Sequence, residues 1–175
     1  ALEVLYKRKN QEYLSKMRQL GQNRRVIGFD KIDDAVGRVV NSSSVRFKAE
    51  RFPEYEGIIS KITERIDRWR GLNPAEYHTA SGLDALKRQI GLIQKNLPPD
   101  DIGRQLVGDV YDSIKKSIDA ADPMYAGIMK SYSEAAELTR ELRSTFSMKK
   151  TATVDTTLRK LLSIMRDNAS TNYSR

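Results

Sequence analysis

Apolar residues recur at alternating steps of three and four residues along most of this chain, and this spacing constrains its fold more than any other feature. Such spacing places the apolar residues on one stripe of an α-helix, and a stripe of this kind has to be buried. The sequence therefore predicts an all-α protein. The clearest stripes are Ile59, Ile62, Ile66 and Trp69; Leu83, Leu86, Ile90, Ile93 and Leu97; and Tyr125, Ile128, Tyr132, Ala135, Thr139, Leu142 and Phe146.

Glycine, proline and capping residues divide the chain into about six or seven predicted helices. Gly21 suits the left-handed turn that ends a first helix, and Asp30 suits the cap of a second. Ser81, followed three residues later by Asp84, resembles a capping box that opens another helix. Residues 45–50 alternate between apolar and polar, but no second alternating run could pair with them. We therefore expect an extended connector there.

Helices joined by short corners predict an elongated, mainly antiparallel bundle with essentially no sheet. We expect residues 1–28 to form an N-terminal amphipathic basic helix and its loop, and residues 29–175 to form the helical bundle domain. Because the first helix begins without a capping residue, we expect the chain to be a fragment of a longer polypeptide. The predicted core consists of Ile59, Ile62, Ile66, Trp69, Leu86, Ile90, Ile93, Val110, Ile114, Ile128, Leu142, Leu158 and Leu161.

Composition offers little chemistry for catalysis. The chain has no cysteine, which excludes disulfides, thiol nucleophiles and cysteine zinc sites and favours a reducing compartment. His78 is its single histidine, and we interpret it as a loop residue that hydrogen-bonds backbone or water. The glycines form no phosphate-binding loop, and no apolar run approaches the roughly 20 residues of a membrane span. We predict no catalytic, cofactor-binding or metal-binding residue and no enzymatic activity, unless Glu54, Glu56 or Glu76 faces a cleft.

The net charge of +8 is concentrated at the two ends of the chain. Residues 1–31 hold eight Lys and Arg against three Asp and Glu, giving +5, and residues 140–175 hold the same numbers. Candidate phosphate contacts are two basic pairs in predicted loops, Arg24 with Arg25 and Lys149 with Lys150. They support a nucleic-acid-binding helical module that uses basic termini; the alternative interpretation is a solvated surface.

A stripe on the first helix is the candidate association face. Its members are Tyr6, Tyr13, Met17 and Leu20, and tyrosine with methionine suits an adaptable interface. A terminal helix has little reason to be ordered unless such a stripe docks. We expect it to mediate self-association or contact with the rest of a longer polypeptide, although it could also dock on its own bundle.

Three segments resemble a helical region of large bacteriophage and prophage proteins that are virion-associated or serve DNA delivery. The resemblance covers about residues 45–174 and leaves out the first helix. It implies an architectural region, and so a non-enzymatic structural or interaction domain, with other parts of a phage particle as partners and the virion or host cytoplasm as its location. The chain departs from the pattern of these phage proteins at Thr156 or Thr157 and at Ser174, and neither difference affects a residue with a chemical role. The segments are 77–88 (YHTASGLDALKR); 122–126 (DPMYA) with Met129 and Tyr132; and 154–161 (VDTTLRKL) through 165–168 (MRDN) to 171–173 (TNY).

Overall fold

The computed structural model describes residues 2–99 and 101–147, and every regular element in these two ranges is an α-helix. The all-α prediction is therefore confirmed. The described helices are α1 (Leu2–Leu20), α2 (Asp30–Asn41), α3 (Ser43–Arg51), α4 (Pro53–Arg70), α5 (Pro74–Tyr77), α6 (Ala80–Lys95), α7 (Ile102–Ala121) and α8 (Met124–Ser147).

The chain divides into two compact units. One unit is Ser15–Gly127, and the other combines Ala1–Leu14 with Ile128–Arg175. In the second unit, the rings of Tyr13 and Tyr132 lie 5.2 Å apart. Most of the apolar core described below belongs to the Ser15–Gly127 unit.

Helices α6 and α7 form a central antiparallel pair in the Ser15–Gly127 unit. Nε2 of Gln94 donates a hydrogen bond to the carbonyl of Arg104 at 2.9 Å. One turn back along α6, a Cβ at Gly91 would lie 3.2 Å from the ring of Tyr111. Because later residues of α6 face earlier residues of α7, the two helices run in opposite directions, as their short connection requires.

In the Ser15–Gly127 unit, most of the buried apolar residues come from α2, α4, α6 and α7. Of the residues predicted for it, Ile62, Ile66, Trp69, Leu86, Ile90, Val110, Ile114 and Ile128 are buried. Buried residues that the prediction did not include are Leu20, Ile27, Phe29, Ile32, Ala35, Val39, Ile58, Ala80, Leu83, Val107, Ile118, Tyr125 and Leu138.

Two predicted core residues, Ile59 and Ile93, are only half-buried. Ile58 is buried in place of Ile59, because Ile58 lies four residues before Ile62, the same step that separates Ile62 from Ile66. Tyr132 of the third predicted stripe is exposed by 52%, whereas Leu138 is buried. The remaining three, the side chain of Leu142 together with Leu158 and Leu161, lie outside the described residues.

Residues 45–50 lie within helix α3, so the predicted extended connector is wrong. Helix α2 ends at Asn41, and Ser42 interrupts the helical path with φ −60° and ψ 125°. The carbonyl of Ser42 then accepts a hydrogen bond from the backbone N of Arg46 at 2.9 Å, which starts α3. A helix satisfies its backbone groups internally, which an unpaired strand could not do.

Several helix boundaries also differ from expectation. Thr79, and not Ser81, caps α6: its hydroxyl accepts a hydrogen bond from the backbone N of Gly82 at 3.3 Å. Phe29 precedes α2 and makes no side-chain cap, so Asp30 is the first helical residue. Gly21 does end α1, but no described glycine has a positive φ. Asn73 caps α5 and Asp101 caps α7, each with a side-chain oxygen that accepts a hydrogen bond from a backbone N–H of its helix.

Exposure of neighbouring residues on α6 allows a matched test of this core. Ile90 is fully buried and Leu92 is exposed by 59%. We expect Ile90→Ala to lower the free energy of unfolding by about 2–5 kcal/mol, because it leaves a cavity. We expect Leu92→Ala to change it by less than about 0.5 kcal/mol. Urea denaturation followed by far-UV circular dichroism measures both, and equal losses would contradict the position of α6.

Candidate functional site

Three polar side chains meet in the interior of the Ser15–Gly127 unit. Asp84 and Lys87 lie one turn apart on α6, and Tyr125 lies in the first turn of α8. Their exposed fractions are 1%, 3% and 0%. The Tyr125 hydroxyl donates to Oδ1 of Asp84 and accepts from Nζ of Lys87, and Nζ lies 3.2 Å from the same Oδ1. The carboxylate, the ammonium and the phenol therefore form a closed triangle.

Further groups surround this triangle. Nε of Arg88 lies 3.2 Å from Oδ2 of Asp84, although the Arg88 side chain is itself exposed by 63%. Nζ of Lys87 lies 5.5 Å from the ring centre of Tyr111 and 4.9 Å from that of Tyr125. Aromatic faces attract a cation electrostatically, so they offset part of the cost of burying this ammonium.

Burial shifts the pKa values of two of these groups. Desolvation lowers the pKa of Lys87 below its ordinary value of 10.5, while the charge of Asp84 opposes that shift. Desolvation, followed by the hydrogen bond to Asp84, raises the pKa of Tyr125 above 10.0. A lysine with a lowered pKa can act as a nucleophile or base where a substrate reaches it. Here Lys87 and Tyr125 are buried against each other and Asp84, which favours a role in holding α6 to the start of α8.

The single histidine lies in a second buried cluster. His78 follows α5, and its Nε2 lies 2.9 Å from the carbonyl O of Trp69. Its ring meets the ring of Phe29 edge-on at 4.7 Å. Nε1 of Trp69 donates to the carbonyl O of Tyr77 at 2.9 Å, and a Cβ at Gly82 would lie only 2.4 Å from that oxygen. His78 thus hydrogen-bonds backbone, as expected, and it links the end of α5 to the last turn of α4.

Of the predicted phosphate contacts, Arg24 and Arg25 are exposed on the segment between α1 and α2. The backbone N of Arg25 donates to Oδ1 of Asn23 at 3.1 Å. Arg25 also lines an open cleft of about 230 Å³, together with Asp30 and Lys31. The other predicted pair, Lys149 and Lys150, lies outside the described residues.

The predicted association face is only partly available to a partner. Leu20 is exposed by 2% and therefore belongs to the core of the Ser15–Gly127 unit. Met17 is half-buried, and Tyr13 is half-buried beside Tyr132. The side chain of Tyr6 lies outside the described residues. Self-association through this stripe stays a prediction.

A cation-lined cleft between α4 and α6, which the sequence analysis did not single out, has a volume of about 280 Å³. Lys61, Glu64, Arg65 and Arg68 of α4 and Ile93 of α6 line it. The spacing of the three cations, at steps of four and three residues, was the signal available in the sequence, because it places them on one helix face. We call this feature the α4–α6 cleft.

Glu54, Glu56 and Glu76 are exposed, and none of them lines the α4–α6 cleft or the cleft beside Arg25. Within residues 2–99 and 101–147, no three His, Asp or Glu side chains are grouped to hold a metal ion. No helix in these ranges is long and apolar enough to cross a membrane. Comparison of the chain with protein-family models, curated proteins and solved structures found no match.

Two cations that pair with the same carboxylate provide a test of the buried triangle. We expect Lys87→Met to lower the free energy of unfolding by about 3–5 kcal/mol, because it leaves the buried carboxylate of Asp84 without its ammonium. Arg88→Met removes an exposed partner, and we expect a loss below about 1 kcal/mol. Chemical denaturation measures both variants, and a larger loss for Arg88→Met would contradict the assignment.

The raised pKa of Tyr125 predicts a pH dependence. The unfolded chain loses the phenolic proton near pH 10 and the folded chain keeps it. The stabilisation from Tyr125 is therefore complete below pH 10 and is lost as the pH rises beyond it. We expect the free energy of unfolding to fall less steeply above pH 10 in Tyr125→Phe than in the wild type. Identical slopes in the two proteins would count against the buried phenol.

Proposed function

We propose that this chain is a non-enzymatic structural or interaction domain of a phage or prophage protein, contributing to a virion component and located in the virion or the host cytoplasm. The resemblance of residues 45–174 to helical regions of phage proteins supports this proposal. A cluster of exposed aromatic and charged side chains around the junction of α3 and α4 supports the protein-binding part of it.

This cluster, the α3–α4 corner, is defined by Phe47, Arg51, Phe52 and Tyr55. Phe47 is exposed by 54% and Phe52 by 49%. The guanidinium of Arg51 lies 4.0 Å from the ring centre of Phe47. The rings of Phe52 and Tyr55 lie 6.1 Å apart. Aromatic residues and arginine are enriched at the centres of protein interfaces, where they supply much of the binding energy.

A second copy of this chain is the partner that the corner suits best. An interface between two copies related by a two-fold axis has to be self-complementary. Around the two phenylalanines lie exposed residues of both charge signs, Arg46 and Arg51 on α3 and Glu54 and Glu56 in the first turn of α4. A copy could therefore pair its cations with the acids of the other while the aromatic rings become buried.

The α3–α4 corner is already exposed to a partner, whereas part of the α1 stripe is buried. Leu20 is buried within its own chain, so exposing it would cost core packing. Phe47 and Phe52 are already at the surface and need no such rearrangement. We therefore propose the α3–α4 corner as the main association surface.

The double variant Phe47→Ser with Phe52→Ser tests this proposal. We expect the wild-type chain to dimerise as its concentration rises, and the double variant to remain monomeric because the apolar centre of the interface is removed. Sedimentation velocity over a range of concentrations measures this. Leu92→Ser is the matched control, since Leu92 is exposed by 59% on α6, and it should dimerise like the wild type.

Circular dichroism establishes that the variants keep their helices. A wild-type chain that is monomeric at every concentration would overturn self-association through the α3–α4 corner. So would a double variant that dimerises as tightly as the wild type.

A further inference from the structure

The α4–α6 cleft concentrates positive charge on one face of α4. Lys61, Arg65 and Arg68 contribute three positive charges to its lining and Glu64 one negative charge, so the lining carries 3 − 1 = +2. Lys61 and Arg68 are exposed, and Arg65 is half-buried. The cleft therefore presents its cations to solvent above a half-buried apolar residue, Ile93.

Most of these charged side chains do not pair with other residues of the described chain. Within the described part of the chain, Lys61, Glu64 and Arg68 take part in no ion pair, although Glu64 lies one turn from both cations. By contrast, Arg70 at the end of the same helix is paired with Asp33 and lies 3.8 Å from Asp67. The cations of the cleft thus remain available for an external anion.

One of the three cations is also held in place. Nη1 of Arg65 donates to Oε1 of Gln89 on α6 at 2.7 Å. A guanidinium carries five N–H donors, so this bond orients the group and leaves other donors for a ligand. Orienting an arginine before binding reduces the conformational entropy that binding would otherwise cost.

We propose that the α4–α6 cleft binds the phosphate backbone of nucleic acid. Lys61 and Arg68 are separated by about 10 Å along the helix axis, at 1.5 Å per residue. Over that length one strand of a duplex carries about three phosphates, spaced by about 3.4 Å along its axis. The three cations, at steps of about 6 and 4.5 Å along the helix axis, are spread over a length that carries several phosphates, whereas a single small anion would need only one or two of them. The cations would bind phosphates and not base edges, so they provide affinity without sequence specificity.

This site is separate from Arg24 and Arg25, one of the two basic pairs that the sequence suggested. Arg24 and Arg25 lie on the segment before α2, and the α4–α6 cleft is formed by other helices. It is also independent of the proposed self-association, because none of its residues belongs to the α3–α4 corner. Failure of either proposal leaves the other intact.

Fluorescence anisotropy of a short labelled DNA duplex, titrated with the full chain at several salt concentrations, tests the site. We expect binding at low ionic strength that weakens linearly on a logarithmic salt scale. The double variant Lys61→Gln with Arg68→Gln should bind more weakly and reduce the salt slope by about two, one for each phosphate that the variant no longer neutralises.

The matched control is Lys116→Gln with Lys130→Gln, two exposed lysines outside the cleft. Both double variants lower the net charge from +8 to +6. The control should keep the wild-type slope, as should Arg24→Gln with Arg25→Gln. Equal weakening of DNA binding in the cleft and control variants would overturn the site by showing that only net charge matters.

Three other results would overturn the proposal. One is the absence of DNA binding at low ionic strength. The second is a loss of binding in the Arg24 and Arg25 variant but not in the cleft variant. The third combines two observations: polyglutamate displaces DNA at equal charge concentration, and the cleft variant binds polyglutamate more weakly than the wild type does. Together they would assign the cleft to an acidic protein. Circular dichroism and thermal unfolding establish that each variant is folded.

Discussion

The buried carboxylate of Asp84 requires compensating charge and hydrogen bonds, and residues of α6 and α8 in the Ser15–Gly127 unit supply them. A charge removed from water costs several kcal/mol unless opposite charge and hydrogen bonds compensate it. Lys87 and Arg88 supply the charge from the same helix, and Tyr125 supplies a hydroxyl from α8. The local cations would be present in any helix containing this sequence. The hydroxyl is present only when α8 begins in the right place, so the carboxylate favours one arrangement of these two helices over others.

Two glycines allow close packing of the helices around the buried triangle. Lys87 lies within reach of the ring of Tyr111 because α6 and α7 approach each other closely where Gly91 carries no side chain. Gly103, at the start of α7, plays a similar part: a Cβ there would lie 2.9 Å from Cδ1 of Ile58 on α4. Such close approaches set the distances between α6 and α7 and between α7 and α4, helices that are otherwise held together by non-directional apolar packing.

The parts of the fold that the sequence predicted correctly are those that depend on local physics. Apolar periodicity identified the helices other than α3, and Gly21 ends the first of them. The role of Asp84 could not be predicted in this way, because its partner Tyr125 is 41 residues away. Its spacing from Ser81 suggested a capping box, whereas Thr79 makes the cap. A detectable signal existed: Asp84 and Lys87 flank Leu83, Leu86 and Ile90, so two charged residues share the buried face of α6.

The arrangement of charge at the surface also depends on the fold and cannot be read from the sequence segment alone. Residues 32–139 hold fifteen Lys and Arg against seventeen Asp and Glu, a net charge of −2, so segment charge alone predicts anion binding only at the two ends. Net charge along a segment averages over all sides of its helices. Screening by salt limits interactions between exposed charges to about 10 Å or less, so an anion responds to the nearest helix face. On α4 the cations at 61, 65 and 68 share one face, while Asp67 lies on another side and faces Arg70. A segment with excess acid can therefore present a basic surface, and the fold decides which charges lie together.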